Sequence, residues 1–233
     1  MLEQRSNEPE LMDDLAYSGE EMRKTLDELE IINTRLGGYK VVLNALDQLA
    51  TRHKGRTLHI ADIGCGGGDT LKNMARWAKH QKVPVLLTGI DANDYIVQYA
   101  RKECQGYPNI EVKQFDVFSE GFAREAYDIT VCSLFCHHFT DKQLVRMFRQ
   151  LYQQSRLGVI INDLHRHWFA YYSIKYITAL FSNSVLVRND APLSVSRAFK
   201  RDEIQQLVKQ AGISKYSLRW MWAFRWQLLL QKR

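Results

Sequence analysis

The chain of 233 residues is short of several things. It has four cysteines, Cys65, Cys104, Cys132 and Cys136, and none of them forms a CxxC pair. That argues against a disulfide framework and against zinc-site spacing, and it fits reduced thiols in a cytoplasmic protein. With four prolines and no low-complexity tract there is no obvious interdomain linker, and no internal repeat points to a solenoid. The Met1 end is acidic and polar where a secretion signal needs a basic start and an apolar run, so export is not expected. The most apolar stretch, Trp168 to Val187, is interrupted by Lys175 and holds Ser173, Ser182, Asn183 and Ser184. That is poor material for the roughly 20 apolar residues of a membrane-crossing helix, so a soluble chain without a transmembrane segment is expected.

Blocks of like charge are missing as well. Thirty-two Lys and Arg against 26 Asp and Glu give +6, yet the first thirty residues hold ten acids and three bases, which leaves the rest of the chain strongly basic. A basic body can attract nucleic acid, anionic lipid or a phosphorylated substrate. Here the cations are spread over several candidate helices, so a solvated surface is the favoured reading and nucleic acid is not a favoured partner.

What is present is an alternating pattern. Ser18 and Glu21 have capping-box spacing, and Met22, Leu26, Leu29 and Leu36 follow at helical intervals until Gly37 and Gly38. A second amphipathic helix is predicted from Tyr39 to about Ala50. Apolar, β-rich runs at Leu58 to Ile63, Val85 to Ile90, Ile110 to Phe115, Ile129 to Leu134 and Gly158 to Asn162 are separated by helical stretches at Thr70 to His80, Tyr95 to Glu103 and Asp141 to Ser155. A further helix, Arg201 to Ala211, precedes two strands, Tyr216 to Phe224 and Arg225 to Gln231. This rhythm predicts an α/β, Rossmann-like doubly wound sheet of seven strands, mostly parallel, with a terminal antiparallel hairpin. Residues 1–52 are expected to form a helical lid on a domain spanning 53–233, with a helical insertion at about 165–198.

The first strand ends in a glycine loop, Asp62-Ile-Gly-Cys-Gly-Gly-Gly-Asp69, with Gly64, Gly66 and Gly68 at alternate positions. Glycines there let a nucleotide approach the backbone, and the helix start beyond favours negative charge or an oxygen-rich edge. The dinucleotide fingerprint would need glycine where this chain has Asp69, which places a nicotinamide dehydrogenase last among the readings. Asp91 ends the second strand and Asp116 follows the third. A carboxylate at the first of these places can accept both ribose hydroxyls. Three acids at successive strand ends fit a nucleoside crevice at the carboxyl edge of the sheet, although each alone could cap the next helix.

These segments, D62-I-G-C-G-G-G68, G89-I-D91, F115-D116-V117 and Y127-D-I-T-V-C-S-L-F-C-H-H-F139, resemble a class I S-adenosylmethionine-dependent methyltransferase over about residues 57–233. The resemblance implies S-adenosylmethionine as cofactor. It implies Gly64, Cys65 and Gly66 at the methionine end, Asp91 with Ala92 at the ribose, Asp116 and Val117 flanking adenine, and Ser133 and Leu134 bordering the sulfonium. E30-I-I-N33-T-R-L36-G37-G38, C132-S-L-F-C-H-H-F139, N162-D163-L164 and D190-A-P-L-S-V-S-R-A-F199 are also similar to a bacterial subgroup associated with type III polyketide pathways. That implies methyl transfer to a small phenolic or polyketide-like acceptor in secondary metabolism.

His137, His138 and His165 follow the fourth and fifth strands and are the candidate bases, since imidazole is a ready proton acceptor near neutrality. Each could instead hydrogen-bond the loop backbone. Asp163 could orient a neighbour or hold a helix start. Contiguous Cys136, His137 and His138 cannot all face one ion from regular structure, and no metal is expected. The aromatic run Trp168 to Phe181 could be a lid over an apolar acceptor or a helix packed on the sheet, with core packing expected for half of its side chains. Two other classes remain open: an RNA or protein methyltransferase, and a non-catalytic partner protein that binds S-adenosylmethionine. Oligomeric state is not legible.

Overall fold

A computed structural model describes residues 2–50, 53 and 55–232. The expected lid boundary at residue 52 lies outside the described residues.

The strands are β1 (Leu58–Ile63), β2 (Val85–Asp91), β3 (Ile110–Gln114), β4 (Tyr127–Ser133), β5 (Ser155–Leu164), β6 (Tyr216–Met221) and β7 (Arg225–Gln231). They form one seven-stranded sheet in the order β3-β2-β1-β4-β5-β7-β6. β1 to β5 run parallel, and β7 lies antiparallel to both β5 and β6. Strand order reverses between β1 and β4, which opens the ligand crevice of a doubly wound sheet at their carboxyl ends. The hairpin turns earlier than the sequence suggests, since Ala223 and Phe224 take left-handed backbone angles of +62° and +55°.

Alternate residues of the central strands enter two separate cores. Ile60, Val131 and Ile160 pack with Leu46, Leu71 and Val97 from α2 (Gly38–Ala50), α3 (Asp69–Gln81) and α4 (Asp94–Glu103). Ala61, Cys132 and Ile161 pack on the other face with Leu144, Leu151 and Leu207 from α6 (Asp141–Gln154) and α9 (Arg201–Gln210), beside the short α5 (Glu120–Ala123). Both sheet faces are therefore covered, which is why these strands read as apolar runs and not as alternating ones.

The N-terminal segment departs from expectation. The first helix, α1 (Glu20–Arg35), starts after Gly19, and no Ser18–Glu21 capping box forms. Glu21 is used elsewhere: its carboxylate accepts from the Ser184 hydroxyl at 2.9 Å and the Val185 amide at 2.6 Å. It thus caps α8 (Val185–Arg197) from across the fold. The aromatic helix α7 (Trp168–Phe181) also differs, because Thr178 is its one buried residue. Trp168, Tyr176 and Phe181 are exposed, so core packing of half the helix does not occur. An apolar helix whose inner side faces a cavity has no core to enter.

Candidate active site

The carboxyl ends of β1, β2 and β4 open into a cavity of about 1010 Å³. That lies at the upper limit of roughly 300–1,000 Å³ usual for small-molecule sites and leaves room for two ligands. Gly64, Cys65 and Gly66 line it where β1 ends, and Asp91 and Ala92 where β2 ends. Asp116 and Val117 after β3, and Ser133 and Leu134 at the end of β4, complete this side. Asp62 and Gly68 lie outside the wall. Gly68 starts α3 at φ +78°, and a Cβ there would meet Cys104 Sγ at 2.7 Å, so its absence of a side chain serves packing.

The loop is tied to the neighbouring strand. The Gly64 and Cys65 amides donate to the Ile90 carbonyl at 2.8 and 3.0 Å, and the Gly66 amide donates to Asp91 Oδ2 at 3.2 Å. Asp91 Oδ1 accepts from the Asn93 amide at 3.1 Å. Asp116 is exposed at the rim, with Oδ1 accepting from the Phe118 amide at 2.8 Å, so it holds its own turn as well.

Burial raises the carboxyls of Asp62, Asp69 and Asp91 above the ordinary range, and Asp62 is raised further by the other two. Asp62 Oδ1 is buried without a partner, and none of the three carboxylates is ion-paired among the described residues. A cationic ligand would relieve this accumulation of charge, and glycines leave its approach open. Those are the features that suit a positively charged nucleoside such as S-adenosylmethionine. Cys65 is no nucleophile here, because burial and the same acids push its thiol up.

The other half of the cavity carries the histidines. His137 and His138 lie in a 3₁₀ turn after β4, and His165 follows β5. All three line the cavity. His137 Nδ1 is 2.8 Å from Asp163 Oδ1, and its amide donates to Asp163 Oδ2 at 3.2 Å, so Asp163 holds both ring and turn. Burial acts to raise the Asp163 carboxyl, but the His137 charge and hydrogen bond outweigh it and hold it low. His138 Nδ1 is 2.6 Å from Asp13 Oδ1, and Arg197 Nη1 donates to Asp13 Oδ2 at 2.6 Å. Against burial, these two contacts hold the Asp13 carboxyl well below its usual range. His165 Nδ1 accepts from Trp220 Nε1 at 3.2 Å, and burial followed by nearby cations lowers its pKa.

Sequence reasoning missed Glu10, Asp13, Arg197 and Arg225. Glu10 Oε1 lies 3.6 Å from His137 Nε2, and burial raises its carboxyl to about 7. Glu10, His137 and His138 bring ligand-type atoms within 4.8 Å of one another, a proximity that sequence spacing hides. Arg197 Nε stands 3.7 Å from Glu10 Oε1, however, and Asp13 already engages His138 Nδ1. The Arg197 guanidinium is thus ion-paired with Asp13 and stands beside Glu10, so a cation entering the cluster would face its charge.

The sheet order and the crevice at its switch point define an α/β, Rossmann-like doubly wound protein with a ligand cavity at the carboxyl edge of its sheet. Residues 60–158 match the family described as methyltransferase domain. The carboxy-S-adenosyl-L-methionine synthase of Desulfotalea psychrophila (strain LSv54 / DSM 12343) is 24% identical over 208 residues, covering 79% of each chain. The demethylmenaquinone methyltransferase of Chlorobaculum parvum (strain DSM 263 / NCIMB 8327) is 25% identical over 167 residues, covering 67% of this chain and 66% of that protein. Among solved structures, the plantazolicin methyltransferase BpumL, in complex with a triazolic desmethylPZN analog and SAH, superimposes with a TM-score of 0.64 at 17% identity, with 90% of each chain covered. The chain carries a class I methyltransferase domain and is an S-adenosylmethionine-dependent methyltransferase. No helix among the described residues is long and apolar enough to cross a membrane.

Proposed function

We propose that this enzyme methylates a hydroxyl oxygen of a small, apolar, phenolic or polyketide-like acceptor. The carrying observation is the continuity of one cavity from the acid-rich loop of β1 and β2 to a wall of Phe135, Phe139, Phe169 and Ile177 around the histidines. An apolar wall with few convergent polar groups suits a flat organic ring better than a nucleic-acid backbone. The relative named for demethylmenaquinone supports a quinol-type ring among the candidates. Four buried free cysteines fit action in the reducing cytoplasm.

S-adenosylmethionine supplies a methyl group on a positively charged sulfur, ready for in-line transfer. The chain's own task is therefore mainly orientation, which can be worth roughly 7–11 kcal/mol against about 3–5 for a general base. Asp91 would hold the ribose hydroxyls and the Gly64–Gly66 backbone the methionine end, with Asp116 and Val117 flanking adenine. His138 is the favoured base: Asp13 holds Nδ1, and Nε2 has no hydrogen-bond partner among the described residues. It would take the acceptor's hydroxyl proton at Nε2 as the new O–C bond forms. The N-terminal helices act as a lid whose inner residues, such as Leu29 and Leu36, exclude water from the activated oxygen.

The test is to incubate the purified protein with methyl-labelled donor and a panel of alkylresorcinols, phenols, quinols and bulk RNA. Label in a phenolic ether supports the reading. Label in RNA alone, or in none of the phenolic compounds, overturns it.

A further inference from the structure

Three arginines are buried among the described residues, and two of them are saturated. Arg166 donates to the carbonyls of Leu2, Glu3 and Ala198 and to Glu203; Arg197 donates to those of Glu8, His137 and His138 and to Asp13. Arg225, at the start of β7 opposite Leu164, is different. It is 2% exposed, and among the described residues its single hydrogen bond runs from Nη2 to Asn33 Oδ1 at 3.0 Å. Nε and Nη1 are buried without a partner, and no carboxylate pairs with it among the described residues.

The surroundings are arranged to admit this cation without neutralising it. Gly38 opens α2 where a Cβ would lie 3.1 Å from Arg225 Cζ and Nη2, so the missing side chain makes the room. Asp163 and Asp69 act on Arg225 only at longer range, since His137 and Tyr39 already bind them. Burial lowers the guanidinium to about 10, which leaves it charged at neutral pH. It is also the one Lys or Arg in the wall of the cavity among the described residues, in a protein with 32 such residues.

A buried, unpaired guanidinium beside a ligand cavity is a charge waiting for an anion. A lone cation among acids matches a single negative charge and not a dianion. We propose that Arg225, steadied by Asn33, is the seat for a carboxylate borne by a ligand of this cavity. Two ligands could bring that group: the donor, through its amino-acid end, or an acidic acceptor. The donor arm of the test stands without the acceptor reading above, and only the acceptor arm rests on it.

The experiment compares wild type, Arg225→Met and Gly38→Ala. Calorimetry measures affinity for S-adenosylmethionine and its decarboxylated analogue, and single-turnover assays compare a resorcinol with its carboxylated counterpart. Wild type should prefer the carboxylated member of one pair by tenfold or more, and Arg225→Met should reduce that ratio to near one. Loss in the donor pair identifies the donor as the source, and loss in the acceptor pair identifies the acceptor. Binding of the decarboxylated analogue reports folding. Gly38→Ala, which keeps the charge but makes Arg225 or Asn33 give by a few tenths of an ångström, should lower the same ratio even where Arg225→Met fails to fold. Ratios equal to wild type in both pairs, in whichever variants fold, overturn the proposal.

Discussion

Asp13 and His138 meet at 2.6 Å across 125 residues of chain, through Oδ1 and Nδ1. The acidic N-terminal segment is therefore an inner wall of the cavity. Asp190 anchors it by accepting the Leu11 and Met12 amides at 2.9 and 3.0 Å, and Arg5 reaches the Phe139 carbonyl at 3.0 Å beside the histidine turn. Because Asp13 would act through His138, the two should behave as one unit. His138→Ala should lower turnover by the roughly 10²–10⁴-fold that a positioned base contributes, and Asp13→Asn should lower it less. The double variant should be no slower than His138→Ala alone. Independent, additive losses in a double-mutant cycle would remove the dyad from the mechanism.

Asp91 has two tasks, holding the Gly66 and Asn93 amides and, on the proposed reading, the ribose. Asp91→Asn keeps an oxygen acceptor but loses the charge. A hydrogen bond to a charged group is worth about 1.5–3 kcal/mol, so donor affinity should fall roughly 10–100-fold. Asp91→Ala, which also frees the loop, should bind more weakly still. Titration calorimetry with S-adenosylmethionine measures both, and wild-type affinity in either variant would exclude Asp91 from the donor site.

Burial has raised the carboxyls of Asp62, Asp69 and Asp91 in the free protein. A cationic donor favours their ionised forms, so binding should release protons. Affinity should then increase as pH rises above the ordinary carboxylate range of about 4, and level off once the acids are ionised. S-adenosylhomocysteine lacks the sulfonium and should show a weaker slope. Calorimetry in two buffers of different ionisation enthalpy reads the released protons directly. A pH-independent donor affinity with no proton release would show that the acids do not sense the donor charge.

Gly64 is fixed twice over. Its φ is +69°, and a Cβ there would lie 2.2 Å from the Phe135 ring. Gly64→Ala should therefore be destabilised by at least the roughly 1–2 kcal/mol of a left-handed residue, and it should bind donor poorly. Adding Phe135→Leu removes the ring but not the backbone strain, so it should restore only part of the stability in thermal unfolding. Full recovery would mean that the backbone angle costs nothing.

The parts of this protein that could be read in its sequence are those in which the signal is local. Leu58–Ile63 and Arg225–Gln231 have their expected bounds, because an apolar run ending in a loop residue is decided within the segment. The alternation of strands and helices carried the sheet in the same way. Ser18 and Glu21 failed because capping-box spacing does not record competitors, and the start of α8 competes successfully for Glu21. The exposed face of α7 was misread because apolarity alone cannot separate a helix entering a core from one walling a cavity. Glu10 and Asp13 gave no signal at all. Their partners lie beyond any sequence window, and in an acidic run nothing distinguishes a buried carboxylate from a solvated one.

Glu10 offers a test of that last distinction. It is 5% exposed, and burial outweighs the charges of His138 and Arg197, so its carboxyl rises from 4.5 to about 7. A carboxyl raised on folding binds its proton more tightly in the native state. Its contribution to stability is therefore fully present below about pH 4.5 and is lost as pH rises through 7. Glu10→Gln keeps an acceptor for the Ser194 hydroxyl, which now donates to Oε2 at 2.9 Å, and cannot ionise. The variant should be more stable than wild type at pH 8, by up to about 3 kcal/mol if the whole shift is relieved, with a much smaller difference at pH 5. Urea unfolding at the two pH values measures this. A variant less stable than wild type at pH 8 would mean that the ionised carboxylate, held by Arg197 and the histidine pair, clasps the N-terminal wall to the histidine turn.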